Sequence, residues 1–69
     1  MTQCERVLKY MDDFGSISTM QAFFDLGITR LASRIYDLRQ MGIPIDKTSI
    51  SRKNRYGDTI HYAVYTKAV

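Results

Sequence analysis

The stretch Leu26-Gly-Ile-Thr-Arg-Leu-Ala-Ser-Arg-Ile-Tyr-Asp-Leu-Arg-Gln-Met-Gly42 decides how this chain is read. Ile28, Leu31, Ala32, Ile35 and Leu38 recur at the three- and four-residue spacing that gathers side chains on one face of a helix. Thr29, Arg30, Ser33, Arg34, Asp37 and Gln40 fall on the other side. Thr29 is the expected N-cap, its hydroxyl accepting from free amides of the first turn. Gly42 is the expected stop, since glycine takes the left-handed conformation that helix ends often need. The spacing therefore predicts an amphipathic helix over 29–41 with an apolar back to bury. Its front carries Arg, Ser, Thr and Gln, which hydrogen-bond base edges and phosphates well. This is the character of a recognition helix, and the rest of the chain reads as its mount.

Upstream, Gln3 to Phe14 forms a first helix with Val7, Leu8, Met11 and Phe14 as its apolar stripe and Tyr10 at the edge. Glu5 and Lys9, four residues apart in the favourable order, are expected to pair on its outer face. Gly15 ends that helix, and Ser16-Ile17-Ser18 is a short extended link in which Ile17 alone can reach a core. Ser18 or Thr19 then caps a second helix from about Thr19 to Leu26. Met20, Phe23 and Phe24, with Ala22 and Leu26, supply its expected buried side. Being adjacent, Phe23 and Phe24 divide between the core and the neighbouring helix. Gly27 permits the positive φ that a tight turn needs before the next helix begins. Helix, glycine turn and amphipathic helix is the helix-turn-helix arrangement.

After Gly42 the period changes. Pro44 lacks an amide and confines Ile43 to extended conformations, so the helix cannot continue. Ile45 to Arg52 reads as a strand, Asn54-Arg-Tyr-Gly-Asp58 as a turn, and Thr59 to Thr66 as a second strand rich in β-branched and aromatic residues. Ile45 and Ile50 have opposite parity, so either a bulge intervenes or pairing begins only near Thr48. The expected class is α+β, three helices followed by a C-terminal β-hairpin.

The run from Gly15 through Ile45, with Leu26-Gly-Ile-Thr-Arg-Leu-Ala-Ser-Arg-Ile-Tyr-Asp-Leu-Arg39 as its specific part, resembles a family of small winged helix-turn-helix domains common in bacteriophages and prophages. The likeness continues through Lys53-Asn-Arg-Tyr-Gly57 to Ala63-Val-Tyr65 and so covers nearly the whole chain. It implies that the Ile17 link pairs with the hairpin as a third strand. It also implies double-stranded DNA binding, with the second helix of the pair in the major groove.

Arg30, Ser33, Arg34 and Asp37 lie in one stripe at helical spacing. An arginine reads guanine O6 and N7 bidentately, and Thr29 and Arg30 stand where exposed amides and the helix dipole favour a phosphate. The competing structural reading is a plain surface ion pair between Arg34 and Asp37. Asp37 either positions Arg34, accepts from a cytosine amino group or repels phosphate. Arg52, Lys53, Asn54 and Arg55 cluster at the hairpin tip, where a wing meets the backbone or minor groove. Tyr56 is expected to pack on that tip. Tyr10, Tyr36, Tyr62 and Tyr65 are expected to complete the core through an apolar body and a wet hydroxyl, Tyr36 lying nearest the exposed face.

A chain of 69 residues has room for one domain, spanning 1–69. Hydrophobic content of 45% and charged content of 25% fit a globular protein and argue against disorder. The net charge is +3, divided unevenly: residues 1–28 are acidic on balance and residues 29–69 basic, the asymmetry expected when one face meets a polyanion. No apolar run is long enough for a membrane span and no signal peptide is expected, so no membrane partner is assigned. The single cysteine, Cys4, has no internal disulfide partner, and the cytoplasm of a bacterial host is the expected setting. His61 is the only histidine and stands in a strand without ligand-spaced neighbours, so neither a metal site nor a cofactor is assigned. There is no nucleophile–base pair and no phosphate-cradling glycine loop; a non-enzyme is expected. The leading expectation is a phage or prophage transcriptional regulator. The alternative is a winged helix that grips a host protein or nucleoprotein complex, as an anti-defence protein does. Monomer and homodimer both remain open.

Overall fold

A computed structural model describes residues 1–68. Helix α1 spans Gln3–Phe14. Thr2 caps it reciprocally with Glu5: the Glu5 amide donates to Thr2 Oγ1 at 3.2 Å and the Thr2 amide to Glu5 Oε1 at 3.3 Å. Because the cap occupies Glu5, the expected Glu5–Lys9 pair does not form, and Lys9 instead meets Asp13 at 3.2 Å. Val7, Tyr10 and Met11 are the buried residues of α1, with Leu8 half-buried. Phe14 departs from the expected stripe. It lies outside with its ring against Tyr10 at a centroid distance of 4.7 Å, and Tyr10 takes the core position.

Strand β1 is Ile17–Ser18 and helix α2 is Thr19–Leu26. Of the two expected caps Ser18 is used: its hydroxyl accepts from the Gln21 amide at 3.2 Å, and the Gln21 carboxamide oxygen accepts from the Ser18 amide at 3.0 Å. Gly27, at φ +69°, then reverses the chain, its amide donating to Phe23 O at 3.0 Å while the Ile28 amide donates to Ala22 O at 2.9 Å. The expected apolar side of α2 is largely overturned. Only Ala22 is fully buried and Leu26 half-buried, while Met20, Phe23 and Phe24 are exposed. A helix of eight residues has little surface to turn inward, and Ala22 is the residue of α2 that the core encloses.

Helix α3 is Leu31–Gln40, shorter at its start than 29–41. The N-cap position belongs to Arg30, with no side-chain cap bond, so Thr29 does not cap the helix. Leu31, Ile35 and Leu38 face the core with Ile28 behind them. Ala32 does not join them. One residue on from Leu31 it is rotated by about 100°, enough to carry it to the exposed side. Gly42 ends the helix at φ +88°, as expected.

Strands β2 (Ile45–Lys53) and β3 (Thr59–Lys67) pair antiparallel without interruption from Ile45↔Lys67 to Lys53↔Thr59. Neither a bulge nor a late start at Thr48 resolves the parity of Ile45 and Ile50. Ile45 is buried under the helices, and Ile50 sits half-buried on the opposite face. Beyond Ile50 the hairpin leaves the core, and every residue from Ser51 to His61 is exposed. Ile17 pairs with Tyr65 and Ser18 with Val64, giving the sheet order β1-β3-β2 and the third strand that the resemblance implied. One apolar cluster joins all the elements, from Val7 and Met11 through Ile17 and Leu38 to Ile45 and Tyr65. The result is the expected α+β winged helix-turn-helix architecture.

Candidate nucleic-acid interface

The hairpin tip is built by Asn54. Its side-chain oxygen accepts from the Tyr56 amide at 2.9 Å and the Asp58 amide at 3.0 Å, while its own amide donates to Asp58 O at 2.9 Å. Gly57 takes the left-handed conformation that closes the turn, at φ +84°. Asn54 is thus a framework residue at this site, with only its amino group left to donate outward. Arg52, Lys53 and Arg55 stand exposed around it and have no ion-pair partner among the described residues. Tyr56 does not pack on the tip: it is 86% exposed.

The wing and the helix-turn-helix meet across a concave groove of about 870 Å³. Thr29, in the turn before α3, lines it together with Arg52, Lys53, Asn54 and Arg55. The four wing residues and Thr29 are therefore brought together, although 23 or more positions separate them in sequence. Arg30 is exposed beside them at the start of α3, free of any ion pair among the described residues.

The expected stripe on α3 is divided. Arg34 is turned to the flank of the helix, where Nη2 lies 3.2 Å from Asp37 Oδ2 and Nη1 donates to Gln3 Oε1 of α1 at 3.5 Å. Its Nε is buried with no hydrogen-bond partner among the described residues. Ser33 is half-buried beside it. The outermost face of α3 belongs instead to Ala32, Tyr36 and Gln40, four residues apart, with Tyr36 62% exposed. That repeat is visible in the sequence, but counting Ala32 with the core and Tyr36 with the aromatic packing obscures it. Arg39 is structural, donating to the Ile45 carbonyl at 3.0 Å and so tying α3 to β2.

Elsewhere the polar groups hold the scaffold. The Tyr10 hydroxyl donates to Asp25 Oδ2 at 2.5 Å, joining α1 to α2, and this bond to a carboxylate raises the tyrosine's pKa above its ordinary value. Lys67 meets Asp12 at 2.9 Å and fastens β3 to α1. His61 Nδ1 and Ser51 Oγ are hydrogen-bonded at 2.8 Å across the exposed part of the hairpin. Cys4 is half-buried at the edge of the core. Among the described residues no three His, Cys, Asp or Glu side chains converge as a metal site would need, and no helix is long and apolar enough to cross a membrane.

No curated protein and no solved structure matches the chain. A family model does, over residues 2–68, and it is described as a winged helix-turn-helix domain. The match takes in both halves of the interface, the Gly27 turn with α3 and the basic hairpin tip. Sequence family and observed topology therefore agree, and the chain belongs to the winged helix-turn-helix domain family.

Proposed function

We propose that this protein binds double-stranded DNA and acts as a transcriptional regulator of a phage or prophage in the bacterial cytoplasm, working as one winged helix-turn-helix domain and without catalysis. The observation that carries this reading is the meeting of Arg52, Lys53 and Arg55, three cations without an ion pair among the described residues, with Thr29 before α3 across one concave surface. Helix α3 enters the major groove. Thr29 and the open amides of its first turn receive a backbone phosphate, and Arg30 selects bases together with Ser33 and Arg34, which reach them from the flank of the exposed Ala32–Tyr36–Gln40 face, Asp37 holding Arg34 in place. The wing follows the backbone or minor groove and supplies most of the sequence-independent affinity.

Fluorescence anisotropy with a labelled random duplex across a salt series tests this directly. Micromolar or tighter binding that falls steeply with salt is the expected result. Absence of binding even at low salt overturns it.

A further inference from the structure

The groove between α2 and the wing is unlike a phosphate cradle. Its lining has an apolar part: buried Ile28 and half-buried Tyr62, with Met20 and Phe23 of α2 and Ile60 of β3, which remain 65%, 50% and 43% exposed. Phe24 braces Phe23 edge-on at a centroid distance of 5.2 Å. Arg52, Lys53 and Arg55 line the groove as well, and no carboxylate of the described residues does. A volume of about 870 Å³ is within the range of cavities that take compact organic groups or the anchor side chains of a peptide. A DNA backbone satisfies the cations but leaves the apolar part wet.

We propose that this groove is a docking site for an acidic amphipathic segment of a protein partner, with its apolar side chains on Met20, Phe23 and Ile60 and its carboxylates on Arg52, Lys53 and Arg55. Apolar anchors at helical spacing in a groove, flanked by complementary charge, are a recurrent mode of peptide recognition. Charge complementarity selects the occupant: three cations without a countercharge among the described residues call for carboxylates from outside. A second copy of this chain is a poorer match. Asp13 and Asp25, which line one surface hollow with its exposed Phe14, already bind Lys9 and Tyr10. The proposal does not rest on DNA binding, although it uses the same wing cations; a bound segment of this kind would exclude DNA from the wing.

The test uses the full chain and a synthetic peptide about a dozen residues long, with Leu and Phe at i, i+3, i+4 and i+7 and Asp or Glu elsewhere. An analogue with Lys in place of the acids and an oligoglutamate of equal length are the controls. The expected result is saturable binding by the acidic amphipathic peptide alone, with NMR shifts at Met20, Phe23 and Ile60. Phe23→Ala and Arg52→Glu are each expected to weaken it about tenfold. Equal binding by oligoglutamate, shifts confined to the wing, or no binding by any peptide overturns the proposal. So does concentration-dependent self-association abolished by Phe23→Ala, which assigns the groove to a second copy. A random duplex that shifts Met20 and Ile60 as strongly as the peptide also overturns it, assigning the groove to nucleic acid. A duplex that fails to bind at all speaks only against DNA binding and leaves the peptide result standing.

Discussion

Arg34 and Asp37 form an ion pair at 3.2 Å on the flank of α3, and it neutralises the cation that the sequence offers most directly for reading bases. A half-exposed pair of this kind contributes about 0–1 kcal/mol to stability, so stability alone does not account for its placement beside the exposed face. If Asp37 positions Arg34 for a base, the two act as one unit. Arg34→Ala and Asp37→Ala are then each expected to lose about 1–3 kcal/mol of discrimination between a selected and a random duplex, with the double variant no worse than either single one. Additive losses, or no loss of discrimination in either single variant, would show that the pair only decorates the helix.

Arg55 stands at the wing tip without a countercharge among the described residues, in a turn that Asn54 rather than Arg55 holds together. Its removal is expected to leave the fold intact, since the turn's side-chain hydrogen bonds come from Asn54. Arg55→Ala is expected to weaken binding to all duplexes alike and to reduce the slope of log affinity against log salt by about one unit. An effect confined to one sequence would move Arg55 from backbone contact to base reading.

The architecture was legible in the sequence because its markers are local. Gly15, Gly27 and Gly42 end helices, Pro44 forbids continuation, and Asn54 with Gly57 makes a turn whatever surrounds it. Burial was less legible, since apolar spacing says which residues share a face but not whether another element covers it. Met20, Phe23 and Phe24 repeat as a core stripe does, yet only Ala22 of α2 is fully buried. Arg34 shows the same limit for polar residues: its neighbours at helical spacing were readable, but Gln3 reaches it across 31 positions of sequence.

Tyr10 ties the first helix to the helix-turn-helix through Asp25, and that bond requires the tyrosine proton. Hydrogen bonding to Asp25, then loss of hydration, raise its folded pKa above the ordinary value of 10.0. The folded state therefore holds this proton more tightly than the unfolded chain does. The stabilisation is fully present below about pH 10 and is lost as pH rises through the folded pKa. Tyr10→Phe is expected to lower the urea midpoint at neutral pH and to remove part of the alkaline loss of stability. An unchanged alkaline limb in the variant would assign that loss to other groups.

Two apolar truncations separate the core from its look-alike on α2. Leu38 is fully buried in the apolar cluster, so Leu38→Ala removes buried methyl groups and leaves a void that neighbours cannot fill completely, at a cost of about 2–5 kcal/mol. That is a large share of the roughly 5–15 kcal/mol a folded domain commands, and a chain of 69 residues belongs at the lower end. Phe23 loses little on truncation because half of its surface is already in water. Phe23→Ala is expected to cost under about 1 kcal/mol, within reach of an ordinary surface substitution. Urea denaturation of the two variants beside the parent protein measures the difference. Comparable losses in both would mean that α2 packs its aromatic residues inward in solution, and the groove beside the wing would then lose Phe23 from its apolar lining.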